Sequence, residues 1–419
     1  MHRLLHIDLQ NPTERNSWYL VLEIFWATFL GAAASFNAAF AIRLGATDTQ
    51  VGLLTSLPAL LAVLVLIPAG RFLNTRRNQK AWLLGSLALY RSGFLVVAII
   101  PWLKFAGINQ GALLVFWLVF LSLPVHFFNV GFIPLLSDVI PPSQRANVFT
   151  ARNVIYNAAL SVCVYFYGQW LNRIEFPINY QLMYVVSYFV ALLSLYYLVK
   201  IHIPEKPVHI HVQERKQSLA ASFWTIRKDL AEYPDFRKIV SNTMFHSIGL
   251  WMASPLYMLY YVRDLQADDA WIGLLGAVSS LATIGGFLIW RNRMQRLGEL
   301  RTLKYTIVLG GLFPFLVGLT NSLTPILIWV AINGLVAGGI SLSHLNTLLR
   351  VIPEKDRPGY TAFYMTVMNI GAVISPMIGV ALGERFGFPI ILSLCGLLSI
   401  IGSFSFWIWP IKSEPDYAS

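Results

Sequence analysis

Apolar runs of about 20 residues recur along the whole of this chain, and that recurrence restricts its fold more than any other feature. A run of that length crosses roughly 30 Å of hydrocarbon when it is helical. Backbone groups in lipid must bond within their own segment, so such runs read as helices. The pattern predicts an all-α membrane protein with twelve transmembrane helices, at residues 18–41, 51–73, 81–103, 111–138, 151–172, 181–201, 238–262, 271–290, 303–321, 325–350, 359–383 and 388–409. A soluble fold of 419 residues could not hide a composition that is 56% hydrophobic and only 12% charged.

A formal net charge of +11 invites a nucleic-acid partner, so the positions of the cations decide. With the N-terminus in the cytoplasm, 25 of the 31 Lys and Arg fall in inside segments, counting those at the cytoplasmic ends of the spans, 5 fall in outside loops and one, Arg91, lies near the middle of a span. This positive-inside asymmetry predicts a multi-pass protein of the plasma (cell inner) membrane with both termini cytoplasmic, and it removes the need for a nucleic acid. The first span carries Ala32, Ala33 and Ala34 after an apolar run, as a signal peptide would, but Glu23 interrupts that run and the span is expected to be retained. Cys163 and Cys395 both fall inside spans and imply no disulfide framework.

The longest polar stretch divides the chain near its midpoint, giving an N-terminal six-helix bundle at 1–201, a cytoplasmic linker at 202–237 and a C-terminal six-helix bundle at 238–419. Within the linker, Leu219, Phe223, Ile226, Leu230 and Tyr233 recur at helical spacing, which fits either an interfacial amphipathic helix or a solvated brace. The halves echo each other. Val139-Ile140-Pro141 with Arg145 returns 212 positions later as Val351-Ile352-Pro353 with Arg357, and Val51-Gly52-Leu53-Leu54 returns 221 positions later as Ile272-Gly273-Leu274-Leu275. A duplicated six-helix unit is the economical explanation, and the two bundles are expected to be pseudo-symmetric.

At this level the whole chain resembles the major facilitator superfamily. The family's loop between its second and third helices has the form G-x-x-x-D-R-x-G-R-R; here it runs from Gly70 through Arg71, Asn74, Arg76 and Arg77 to Lys80, with Asn74 in place of the aspartate. The family's acid at the end of the fourth helix, followed by proline and arginine, matches Asp138, Pro141 and Arg145. The resemblance implies a cytoplasmic gate in which Asp138 pairs with Arg71, Arg76 or Arg77. The alternative is that these charges only set topology.

The resemblance also implies a central cavity lined by the first, fourth, seventh and tenth helices. Those spans carry polar or small residues along single faces: Glu23, Ala27, Gly31, Ala34 and Asn37; Ser122, His126, Asn129 and Ser137; Asn242, His246, Gly249, Ala253 and Tyr257; Asn333, Ala337, Ser341 and His344. From these, Asn37, His126, Asn129, His246, Tyr257 and Asn333 are the candidate cavity residues, while Ser122 and Ser341 suit helix packing. The twelfth span has no ionisable group and reads as lipid-facing.

Glu23 and Arg91 lie at depth, where an Arg costs about 2.5–3.5 kcal/mol on insertion scales and needs a partner. The two are expected to pair, either as a structural pin or as a coupling site that binds a proton or an anionic solute. His126, His246 and His344 are further candidates for relays or neutral hydrogen-bonding groups. No metal-ligand spacing, nucleotide-binding loop, catalytic triad or paired carboxylate occurs, so neither a cofactor nor an enzyme is expected.

The resulting expectation is a monomeric secondary transporter that moves a small organic solute by rocker-switch alternating access. Its partners are the substrate, the lipid bilayer and, where coupled, protons, with efflux slightly favoured. The alternatives are a non-transporting membrane sensor and a facilitative uptake carrier for sugars or neutral metabolites.

Overall fold

The computed structural model describes residues 11–76, 78–103, 109–202, 230–353 and 357–412, and among them the only regular structure is helical. Two compact units form: one from residues 1–54, 61–210 and 267–280, the other from 55–60, 211–266 and 281–419.

The first unit contains α1 (Pro12–Ala34), α2 (Asn37–Arg43), most of α3 (Asp48–Asn74), α4 (Gln79–Ile99), α5 (Gln110–Val139), α6 (Pro142–Arg173) and α7 (Ile178–Lys200). Asparagines begin several of these helices by accepting a bond from a backbone N–H of the first turn: Asn11 from Thr13, Asn78 from Ala81 and Asn109 from Ala112. α6 starts with Pro142, whose missing N–H costs nothing there. The first expected span is broken between α1 and α2 at Ser35–Phe36, where the Ser35 hydroxyl donates to the Gly31 carbonyl, a bond that bends helices. Within this unit α1 packs on α6 and α7, and α4 packs on α5 and α7, around a core that includes Leu20, Leu87, Phe128 and Leu198.

The second unit contains α8 (Pro234–Leu259), a π-helical turn (Tyr260–Asp264), most of α9 (Asp269–Leu297), α10 (Glu299–Gly318), α11 (Leu323–Val351), α12 (Arg357–Phe386) and α13 (Phe388–Ile408). Here α8 packs on α12 and α13, and α10 packs on α11 and α13, with Phe236, Ile307, Tyr364 and Phe406 in the core. This is the pairing order of the first unit repeated. The duplication extends to loop chemistry. Gly45 and Gln266, 221 positions apart, both have positive φ, at 86° and 54°. Two residues after each, Thr47 and Asp268 cap the following helix by accepting from the N–H three residues on.

Each of the twelve expected spans falls on a helix, and ten helical segments are long and apolar enough to cross a membrane. Those at the expected fifth and seventh spans, α6 and α8, are not among the ten; α6 carries Arg145, Arg152, Asn153, Asn157 and Gln169. The expected linker helix lies outside the described residues, apart from Leu230 and Tyr233. The twelfth span requires a correction. Half of its apolar window is buried, because α13 packs against both α8 and α10.

Candidate functional site

The first unit encloses a charge cluster assembled from four helices. Glu23 of α1 and Arg91 of α4, 4% and 3% exposed, are brought together as expected, with Arg91 Nη2 3.8 Å from Glu23 Oε1. Ser194 of α7 joins them: its hydroxyl accepts from Arg91 at 2.7 Å and donates to Glu23 Oε1 at 3.0 Å. Arg91 also donates to the Ala191 carbonyl at 2.7 Å. A second cation, Arg152 of α6, places Nη2 2.9 Å from Glu23 Oε2 without an aligned N–H, donates Nη1 to the Leu20 carbonyl and lies over the Phe132 ring. Two buried guanidiniums therefore share one carboxylate, and the cluster holds one cation in excess whenever Glu23 is ionised. Sequence reasoning missed Arg152 by counting it as a loop charge; α6 begins at Pro142, which puts Arg152 nearly three turns inside the helix.

A second polar cluster joins the end of α2 to the starts of α7 and α9. Asp269 Oδ1, at the start of α9, accepts from Arg43 Nε at 3.1 Å and Nη2 at 2.9 Å and from the Tyr180 hydroxyl at 2.7 Å. The Tyr180 ring stacks on Phe40 at 4.3 Å. Beside it, α6 and α9 meet backbone to backbone, since a Cβ on Gly168 would lie 2.6 Å from the Asp269 carbonyl oxygen and 2.8 Å from Gly273 Cα. Gly273 belongs to the repeated Gly-Leu-Leu segment, and this close approach gives a packing reason for its glycine.

In the second unit, His246 is buried at 4% exposure, with Nδ1 2.9 Å from the hydroxyls of both Ser399 and Ser403 on α13. His344 of α11 is half-buried, and its Nε2 lies 3.0 Å from the Thr243 hydroxyl and 3.2 Å from that of Tyr364.

The remaining expected cavity residues differ in setting. Asn129 is exposed on α5, whereas His126 and Asn333 are half-buried. Asn37 accepts a 2.7 Å bond from the Tyr184 hydroxyl, and Tyr257 packs its ring 5.1 Å from that of Phe313. Of the expected cytoplasmic gate, Arg71 and Arg76 are exposed, Arg76 sits over the rings of Phe72 and Trp82, and Arg145 Nε donates to the Ile140 carbonyl. Gly70 has ordinary room around it, with Val130 3.8 Å from where a Cβ would stand. Arg77 and the side chain of Asp138 lie outside the described residues.

Comparison with known proteins agrees with this architecture. The Major Facilitator Superfamily model matches residues 22–238 and 239–418, and the chain belongs to that family. It is a multi-pass helical membrane protein. Over 189 residues, 42% of the chain, it is 27% identical to dipeptide and tripeptide permease B of Edwardsiella piscicida. Over 163 residues, 38% of the chain, it is 26% identical to a Na(+), Li(+), K(+)/H(+) antiporter of Planococcus maritimus. The matches span 37% and 38% of those relatives' own lengths, so about two fifths of each relative is represented. Among solved structures, a POT family transporter in complex with a thioalcohol-conjugated peptide shares the fold at a TM-score of 0.72 and 14% identity, covering 94% of this chain and 96% of its own. The nucleoside transporter NupG shares it at 0.67 and 10% identity, covering 94% of this chain and 100% of its own.

Proposed function

We propose that this chain is a secondary transporter that carries a small organic solute bearing a carboxylate across the inner membrane by alternating access, coupled to protons through Glu23. The observation that carries the reading is the imbalance around Glu23, one carboxylate against two buried guanidiniums. Protonating Glu23 leaves two buried cations without a counter-charge, and breaking such pairing costs about 3–5 kcal/mol. A solute carboxylate reaching the arginines removes that penalty. Protonation and anion binding therefore favour each other, and linkage makes the effect reciprocal. That sign supports movement of proton and solute in the same direction. The relatives' names are consistent with small peptides as the first solutes to try.

The test is flux in proteoliposomes. A pH gradient, acid outside, should drive labelled alanyl-alanine inward with proton movement visible to an internal pH dye, and a protonophore should abolish accumulation. Accumulation that is indifferent to the protonophore would remove proton coupling. Absence of any solute movement across a panel of carboxylated solutes would remove the transport reading itself.

A further inference from the structure

The surface where α10 begins and α13 ends, in the second unit, carries a graded chemistry that the buried clusters do not use. Near the start of α10, Arg301 and Lys304 stand three residues apart and Tyr305 follows Arg301 by four, so the three share one face. Trp407 of α13 lies beside them: Lys304 Nζ is 5.8 Å from its ring centroid, and the Tyr305 ring is 6.5 Å away. About one turn further into the helices come Leu309 of α10 and Phe404 of α13, whose ring is 5.8 Å from that of Trp407. Tyr305, Leu309, Phe404 and Trp407 are all exposed, between 39% and 55%.

The cations at this end have no anion of their own. Glu299 is the only acid from 281 to 310, and it faces Arg350 at 3.9 Å. Arg291, Arg293, Arg296 and Arg301 are exposed and Lys304 is half-buried, and among the described residues none of them has a carboxylate within ion-pair reach. The face of Trp407 attracts the Lys304 ammonium without neutralising it. Topology alone accounts for cations in a loop. It does not account for two of them set on one helix face directly above exposed aromatic and apolar side chains.

We propose that this surface binds an anionic phospholipid of the surrounding bilayer, its phosphate held by Arg301 and Lys304, its glycerol region on Tyr305 and Trp407, and its acyl chains along Leu309 and Phe404. Cation, amphipathic ring and apolar side chain follow one another along the helices in the order in which such a lipid presents its parts. Guanidinium and ammonium donors both suit a phosphate. A free phosphate or a nucleic acid would leave the apolar strip uncovered, and a zwitterionic lipid would bring its ammonium to a place with no unpaired carboxylate. The inference needs only that the chain is a membrane protein, and it stands apart from the solute and from proton coupling.

The test is lipid retention by the full chain, equilibrated in nanodiscs of equimolar phosphatidylglycerol and phosphatidylcholine, extracted in mild detergent and read by mass spectrometry. Wild type should retain phosphatidylglycerol in preference. R301Q combined with K304Q should weaken that retention about thirtyfold, at about fivefold per cation. R237Q combined with R385Q removes the same charge from exposed residues elsewhere in the unit and should leave it unchanged. No preference in wild type, or equal losses in the two double variants, would overturn the proposal. A second measurement leaves the cations in place: brominated phosphatidylglycerol should quench tryptophan fluorescence more than brominated phosphatidylcholine, and W407F should shrink that difference. A difference that W407F does not change would place the lipid elsewhere and overturn the site.

Discussion

Replacing Glu23 by Gln is the most informative single perturbation, because the structure makes it a test of stability before it is a test of transport. The carboxylate is the counter-charge for Arg91 at 3.8 Å and Arg152 at 2.9 Å, and all three side chains are buried. Glutamine keeps the volume and removes the charge, so two guanidiniums remain in the first unit without compensation. Breaking a buried pair by removing one partner costs about 3–5 kcal/mol. At 1.4 kcal/mol per factor of ten, that lowers the folding equilibrium by about two to three and a half orders of magnitude. The chain carries its own reporter for this. Its two cysteines, Cys163 and Cys395, are free and buried, so a thiol-reactive fluorogenic dye reads unfolding directly on heating in detergent. E23Q should melt well below wild type, and E23Q combined with R152M should recover much of the loss, because Arg91 keeps its bonds to Ala191 and Ser194. An E23Q protein that melts like wild type would refute the reasoning, since it would mean that Glu23 is already neutral in the folded protein. In transport, the stable double variant should lose its response to a pH gradient.

Further expectations follow from the other clusters. Asp269→Asn should cost about 1–3 kcal/mol by weakening the bonds from Arg43 and Tyr180, read by the same melt, and the exchange R43D with D269R should recover part of it; an exchange no better than either single variant would show that charge pairing is not what matters there. Gly168→Ala should lower the melting temperature by forcing α6 away from the Asp269 carbonyl, a strain of about 1–3 kcal/mol, and an unchanged melt would show that the contact is looser than described. In a background lacking Cys163 and Cys395, a cysteine at exposed Asn129 should react with a water-soluble maleimide much faster than one at buried His246; equal rates would contradict the burial of His246 behind α13.

Much of this architecture is written plainly in the chain, because lipid leaves few alternatives. A run such as Phe388–Ile408, with no charge over 21 residues, has only helix available to it. The duplication was legible for a related reason: Gly52 and Gly273 sit in segments whose turn and cap chemistry must recur if the helices after them are to start alike. The break at Ser35–Phe36 was not legible, since neither residue is a proline or a glycine. The setting of His246 was hidden as well. Its partners Ser399 and Ser403 are small polar residues on a span that hydropathy reads as uniformly greasy, and only packing shows that they face inward.

Arg152 carries the sharper lesson. Charge counting treats every Lys or Arg near a span boundary as a topological marker, and hydropathy sets that boundary where the apolar run begins. Helix α6 begins earlier, at the proline pair Pro141-Pro142, where the chain's own start signal lies. Had the helix been started at that signal, Arg152 would have stood at depth alongside Arg91, and the shortage of carboxylates in the first half would have been visible in the sequence. A buried cation without its own anion is the feature on which the proposed coupling rests, so the boundary of one helix decides whether the site reads as a neutral pin or as a candidate anion site.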